Sequence, residues 1–215
     1  MWITINSVDI FEKAGLTSYD GRTMTSKDWS EYYKITKAKP PSKLLVSALE
    51  HVTKKEKALD IGGGALKDSR YLLEQGFDVT VFDKSPLMEP EALALQNPHL
   101  HPLTASFEDF NFPRAEYDIA SAMYALPFAH PQHFDAVFQK IKDSLVPGGI
   151  FCGQFFGLND AWAANPEMTF CTKEHTQELL ADMETIYLGE EEKDAPTAKG
   201  DMKHWHVFHI IARKR

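Results

Sequence analysis

At 215 residues, with 43% hydrophobic and 25% charged side chains, the chain is long enough to bury one substantial core and reads as a single large domain. A formal net charge of -8, with basic residues clustered only in the tail "ARKR", weighs against a nucleic-acid partner. The two cysteines, Cys152 and Cys171, form no CxxC pair, no apolar run reaches the roughly 18 residues of a membrane helix, and the opening "MWITINSVDIF" lacks the basic start of a secretion signal and carries Asp9, so a cytoplasmic chain without a membrane partner is expected.

Residues 1–24 show no clear period and are expected to form an N-terminal extension to one domain over 25–215. From Thr25, "TSKDWSEYYKITKAKPP" has a capping-box spacing, Thr25 with Asp28, and sets Trp29, Tyr32 and Tyr33 on one helical face before Pro40 and Pro41. Leu44, Leu45, Ala48, Leu49 and Val52 then recur at helical spacing. Strand and helix alternate after that: "KALDI", a helix from Lys67 to Gln75 stopped by Gly76, the strand "DVTVFD", and a helix "SPLMEPEALALQ" with Ser85 as N-cap and Pro86 in its first position.

"LHPLTAS" and "YDIASAM" read as further strands, and Phe134, Val137, Phe138, Ile141 and Leu145 mark an amphipathic helix that ends in "VPGG" before the strand "GIFCGQFF". Such alternation implies a parallel sheet covered by helices on both faces. After a helix from Thr172 to Met183, the strands "ETIYLGEE" and "KHWHVFHIIARK" follow with only a turn-rich loop between them, and so should pair antiparallel. The expected fold is a doubly wound, mostly parallel seven-stranded sheet whose C-terminal strand is inserted antiparallel at one edge.

The stretch from Lys57 to Ser85 is strand, glycine turn, helix and second strand ending on Asp83. A turn of this kind holds either a dinucleotide pyrophosphate or the methionine end of S-adenosylmethionine, with the acid after the second strand on the ribose. Gly62 and Gly64 supply two glycines of G-x-G-x-x-G, but Lys67 stands where the third would be. With Asp60 ending the first strand, "DIGGG" after it, Asp83 ending the second, "LVPGGI" before the fifth and the terminal strand, the chain resembles the small stand-alone class I S-adenosylmethionine-dependent methyltransferases. The resemblance is dense from Lys57 to Phe156.

That resemblance implies S-adenosylmethionine as cofactor. Gly62 and Gly64 would let the backbone pass against its methionine portion, Asp60 would attract its ammonium and Asp83 would accept both ribose hydroxyls. Lys84 and Met123 would complete the cofactor wall. At the adenine, "ASFEDF" puts Ser106 and Phe107 in register, with Glu108 or Asp109 as the alternative. Trp29 and Tyr33 would face the cleft from a leading helix that closes over it, or, as the alternative, their rings would pack on the flank of the sheet.

Chemistry in an open parallel sheet sits beyond the carboxyl ends of the central strands, which makes Tyr124, Asp160 and Trp162 the substrate-side candidates, with loop packing or a helix cap as the alternative for each. The absence of an Asn/Asp-Pro-Pro-Tyr motif and the position of Cys152 inside a strand weigh against methylation of nucleic-acid bases. His204, His206 and His209 crowd the last strand, but no carboxylate or cysteine stands with them at ligand spacing, so no metal is expected. A small-molecule acceptor leads, with a protein side chain or cofactor binding without turnover as the alternatives.

Overall fold

The computed structural model describes residues 26–215, with side chains from Ser30 onward. The expected extension over 1–24, Thr25 of the capping box and the side chain of Trp29 lie outside the described residues.

The sheet grows from alternating burial. In β1 (Lys57–Ile61) the side chains of Leu59 and Ile61 enter one core cluster and Ala58 the other; in β2 (Asp78–Asp83) Val79 and Val81 enter the second and Phe82 the first. β1 pairs in parallel with β2 and with β4 (Tyr117–Ala122), β2 with β3 (Leu100–Thr104), and β4 with β5 (Leu145–Gly157). β8 (Met202–Lys214) runs antiparallel between β5 and β7 (Met183–Pro196), giving the order β3-β2-β1-β4-β5-β8-β7. Because the chain leaves β1 for β2 on one side and returns to β4 on the other, a crevice opens at the carboxyl ends of β1 and β4.

Helices α1 (Ser26–Lys37), α2 (Lys43–Leu49), α3 (Lys67–Glu74) and α4 (Met88–Leu95) bury Tyr33, Leu45, Leu72 and Met88 on one face of the sheet. α5 (Phe134–Ser144) buries Phe134, Val137, Phe138 and Ile141 on the other. Phe138 sits edge-on to Phe151 and Phe155 of β5 with centroids 5.0 and 5.2 Å away. α6 (Lys173–Leu179) is capped by the Thr172 hydroxyl, which accepts the His175 N–H.

Several details differ from the sequence reading. Leu145, read as the last helical position of α5, opens β5, and the helix after Thr172 stops at Leu179 so that Met183 opens β7. α4 begins at Met88 rather than Ser85, because the Ser85 N–H is drawn to the Asp83 carboxylate at 2.8 Å and the segment before the helix forms a turn, with the Ser85 carbonyl accepting from Met88. α2 ends at Leu49, three residues before Val52. β7 continues to Pro196, beyond the expected "ETIYLGEE", because β8 pairs with it along its whole length; β8 is therefore one place in from the edge, and β7 is the edge. A two-residue strand, β6 (Phe170–Cys171), adds to β5 beside the seven-strand path.

Removing the Phe138 ring, which is fully buried, should destabilise the fold by about 3–5 kcal/mol through lost transfer energy and a cavity. Thermal unfolding of Phe138→Ala measures this, and a change under about 1 kcal/mol would mean that the ring cluster is not the core of its layer.

Candidate functional site

A cleft of about 630 Å³ lies over the carboxyl ends of β1, β2, β4 and β5. Of the residues singled out from sequence, Asp60, Gly62, Gly64, Asp83, Lys84, Ser106, Phe107, Met123, Tyr124 and Trp162 line it; Tyr33 and Asp160 do not.

The glycine turn is built from hydrogen bonds to β2. Gly62 and Gly63 N–H groups donate to the Phe82 carbonyl at 2.8 and 3.2 Å, and Gly64 donates to Asp83 Oδ2 at 2.9 Å. Each glycine has its own reason. Gly62 has φ +69° and a Cβ there would lie 2.5 Å from Ala125 Cβ; Gly63 has the tightest fit, 2.2 Å from Val81 Cγ2. Gly64, with φ +49°, meets only a carbonyl at 3.9 Å, so the space above it is open to the cleft.

Asp83 holds the turn while leaving capacity for a ligand. Its Oδ1 accepts the Ser85 N–H and its Oδ2 the Gly64 N–H, so each oxygen keeps a lone-pair direction. Burial pushes its carboxyl above the ordinary range, against the pull of those two N–H groups. Asp60 is buried at the end of β1 with the Ser69 hydroxyl donating to it at 2.5 Å. Burial first, then the charge of Asp68, push it up to about 7, which the Ser69 hydrogen bond and Lys67 only partly offset.

Lys67, in the place of a third glycine, opens α3 and lines the cleft. Its ammonium donates to the Ser42 hydroxyl at 2.6 Å and to Asp68 at 2.9 Å, while Asp68 accepts the Ser42 N–H at 2.7 Å. This knot joins the starts of α2 and α3 at one end of the cleft. Helix α1 covers the same end, held by the Lys37–Glu91 ion pair and by Arg70 donating to the Lys37 carbonyl. The residues it turns to the cleft are Tyr32 and Thr36, followed by Lys39. Tyr33, one residue and about 100° further round, is 5% exposed and packs on the sheet instead. Burial and then the charge of Asp83 raise its phenol.

At the opposite end, the Ser106 hydroxyl donates to Asp109 at 2.8 Å and accepts the Asp109 N–H at 3.1 Å, so both side chains are engaged in their own turn. Phe107 lines the cleft edge-on to Phe82, and Glu108 lines it beside them, whereas Asp109 does not.

The half beyond β4 and β5 is aromatic. Tyr124 has φ +56°, a left-handed conformation costing a non-glycine residue about 1–2 kcal/mol, and its N–H is taken by the buried Gln154 side chain at 2.9 Å. Trp162, Trp205, Phe128 and Phe156 complete the wall with Val207. Asp160 stands behind that wall: it is 3% exposed, accepts the Trp162 N–H at 3.0 Å and pairs with Lys203 at 2.5 Å, which makes it a support rather than a cleft residue. Glu191, Lys193 and Ala195 to Ala198 of the β7–β8 ribbon form the outer wall.

Carboxylates do stand with the histidines, across the strand pair where spacing along β8 cannot reveal them. His204 meets Asp194 at 2.8 Å and Glu192 at 3.1 Å; His206 meets Glu190 at 3.1 Å and accepts the Asn159 N–H. Among the described residues no group of three or more His, Cys, Asp or Glu is arranged to hold a metal, and no helix is long and apolar enough to cross a membrane. Cys152 is buried inside β5, where desolvation raises its thiol.

These residues fit the cofactor that the sequence resemblance implies: open space over Gly64, a carboxylate pair with spare lone pairs, and a buried acid whose ionisation a cation would favour. Lys67, Ser42, Gly63, Tyr32, Glu191 and Trp205 belong to the cleft as well, although the sequence did not single them out for it.

Residues 58–149 match a family model described as a methyltransferase domain. No curated protein matches the chain. Among solved structures, TehB from Haemophilus influenzae superposes with a TM-score of 0.71 at 18% identity, over 88% of this chain and 66% of TehB. The 1,6-didemethyltoxoflavin-N1-methyltransferase of Burkholderia thailandensis, solved with 1,6-didemethyltoxoflavin and S-adenosylhomocysteine, gives 0.63 at 20% identity over 100% and 93% of the two chains. The N-methyltransferase NodS from Bradyrhizobium japonicum WM9, in complex with S-adenosyl-L-homocysteine, gives 0.61 at 13% identity over 95% and 98%. Likeness at these identities speaks to the fold.

The raised Asp60 sets a pH dependence in the ligand-free protein. Its folded value of about 7 exceeds the unfolded one, so between about pH 4 and pH 7 the folded state binds the extra proton and stability falls as pH rises, by up to about 1.4 kcal/mol per unit. Asp60→Asn, which keeps the neutral form, should lose this slope in chemical denaturation at pH 5 and pH 7. Equal slopes for variant and wild type would show that Asp60 ionises normally.

Proposed function

For a chain that carries a class I S-adenosylmethionine-dependent methyltransferase domain, we propose methylation of a small molecule bound in the aromatic half of the cleft. The observation that carries this reading is the continuity of the cavity: one space of about 630 Å³ joins the glycine turn and Asp83 to Tyr124, Trp162 and Trp205, a volume suited to a cofactor and a compact acceptor. The Burkholderia thailandensis neighbour, with its small molecule and S-adenosylhomocysteine, supports it by analogy of fold.

In this reading Asp83 receives the two ribose hydroxyls, one on each oxygen, while Gly64 leaves room for the methionine portion. Asp60 faces the ammonium group, and Lys67 and Lys39 supply positive charge toward the carboxylate. Met123 and Phe107 flank the adenine, with the Phe107 backbone and Glu108 as its polar partners, and Tyr32 covers the cleft from α1. When bound, S-adenosylmethionine supplies an electrophilic methyl carbon, whose bond pair returns to sulfur as an acceptor lone pair forms the new bond. The chain's part is alignment and exclusion of water: Tyr124, fixed through Gln154, and the Trp162–Trp205 wall enclose the acceptor on the far side of that methyl.

Incubation with methyl-labelled S-adenosylmethionine and either a metabolite extract or a protein extract tests the acceptor class. Label should enter the small-molecule pool; label confined to protein, or retained on the cofactor in both, would contradict the reading. Asp83→Ala removes two charge-assisted hydrogen bonds worth about 1.5–3 kcal/mol each, so calorimetric affinity for S-adenosylmethionine should fall roughly 10²- to 10⁴-fold. Unchanged affinity would remove Asp83 from the ribose site.

A further inference from the structure

The acceptor half of the cleft contains a nearly complete aromatic box. Trp162 and Trp205 have ring centroids 5.6 Å apart; Phe156 lies 5.9 Å from Trp162 and 5.8 Å from Trp205, and Tyr124 lies 5.9 Å from Trp205. Rings gathered in this way attract cations, because the negative faces of their π systems point inward. Here the protein supplies that cation itself. Lys203 Nζ stands 3.7 Å from the Trp205 centroid, 3.9 Å from Trp162 and 4.8 Å from Phe156, and pairs with Asp160 at 2.5 Å. The Lys203 side chain is 3% exposed and that of Asp160 is fully buried, so the pair closes the box from behind.

The two indoles are tilted 60° to each other, so a flat ligand can stack on one of them only, and the cation position between the rings is taken by Lys203. Trp205 is held in plane by its indole N–H, which donates to the Ala195 carbonyl at 3.0 Å. Tyr124 is 42% exposed and faces the same space from the strained turn. On the outer wall Glu191 accepts from Lys193 at 2.8 Å, a bond that keeps its carboxylate ionised; its charge in turn acts on the Tyr124 phenol across the cleft. The carboxylate retains further lone pairs for a donor on an acceptor's edge.

We propose that the acceptor is a flat aromatic or heteroaromatic molecule stacked on the Trp205 indole, with an N–H or O–H on its edge donating to Glu191. This deepens the small-molecule reading and rests on it. An organic cation is disfavoured because the position it would take between the rings is filled by Lys203, and a saturated ring lacks the flat face that stacks on an indole.

Calorimetry on the full chain saturated with S-adenosylhomocysteine separates these possibilities with four probes: 2-naphthol, 2-methoxynaphthalene, 2-decalol and choline. 2-Naphthol should bind about tenfold more tightly than 2-decalol, and choline should not bind. Glu191→Ala should weaken 2-naphthol about fivefold and leave 2-methoxynaphthalene unchanged, since only the naphthol has a proton to donate. Trp205→Ala should weaken both flat probes about tenfold while S-adenosylhomocysteine affinity stays within about twofold, which also reports that the variant is folded; Tyr124→Leu serves if it is not. Choline or 2-decalol binding as tightly as 2-naphthol, or no binding of the flat probes to the saturated protein, would overturn this inference alone. Failure of S-adenosylhomocysteine to bind would overturn the methyltransferase reading with it.

Discussion

Two carboxylates with too little positive charge around them govern this molecule. Asp60 and Asp83 end adjacent parallel strands, and the sheet carries them to the floor of the cleft with their ionisation suppressed by burial. The glycine turn exists around them: Gly64 donates to Asp83, Gly62 and Gly63 donate to the strand carbonyl just before it, and Gly63 packs so tightly on Val81 that no other residue fits. In the proposed reading, a ligand with an ammonium at one end and two hydroxyls further along would meet both acids at once.

The second half of the cleft depends on a different buried charge. Lys203 and Asp160 are removed from water together, and neither would be tolerated alone, since loss of one partner from such a pair typically costs about 3–5 kcal/mol. Their arrangement fixes the loop carrying Trp162 against the strand carrying Trp205, with His206 packed on Gly157 and accepting from Asn159 to hold the start of that loop. Because β7 and β8 stay paired to Pro196 and Met202, the ribbon reaches past the sheet and supplies Glu191 and Lys193 to the outer wall. In the proposed reading the cofactor side would be built from strand ends and the acceptor side largely from an extended hairpin, so acceptor choice could change without touching the glycine turn.

Much of this was legible in residue order. The alternation of strands and helices, the glycine turn, Asp60, Asp83 and the antiparallel final strand all follow from patterns within about 25 neighbouring residues, where spacing translates directly into geometry. Contacts between distant segments were not legible. Asp160 looked like a cleft residue because its partner Lys203 lies 43 positions away. The histidines of β8 looked unaccompanied because Glu190, Glu192 and Asp194 face them from another strand. Tyr33 and Tyr32 were separable only once the axis of α1 was placed, since one residue of rotation decides which ring meets the sheet and which the cleft. Ser106 lines the cleft as its register suggests, and its hydroxyl also closes its own turn on Asp109.

The claim on which the account rests is that burial holds the Asp60 carboxyl up at about 7, so that it is mostly protonated at pH 6 before cofactor binds and ionises when the cofactor's ammonium arrives. Calorimetric titration with S-adenosylmethionine at pH 6, repeated in buffers of different ionisation enthalpy, counts the protons released on binding. With Asp60 at about 7 in the empty cleft, close to one proton should leave per molecule bound, and almost none from Asp60→Asn. No proton release from the wild-type protein would contradict the account, because Asp60 would then already be ionised before any cofactor reached it.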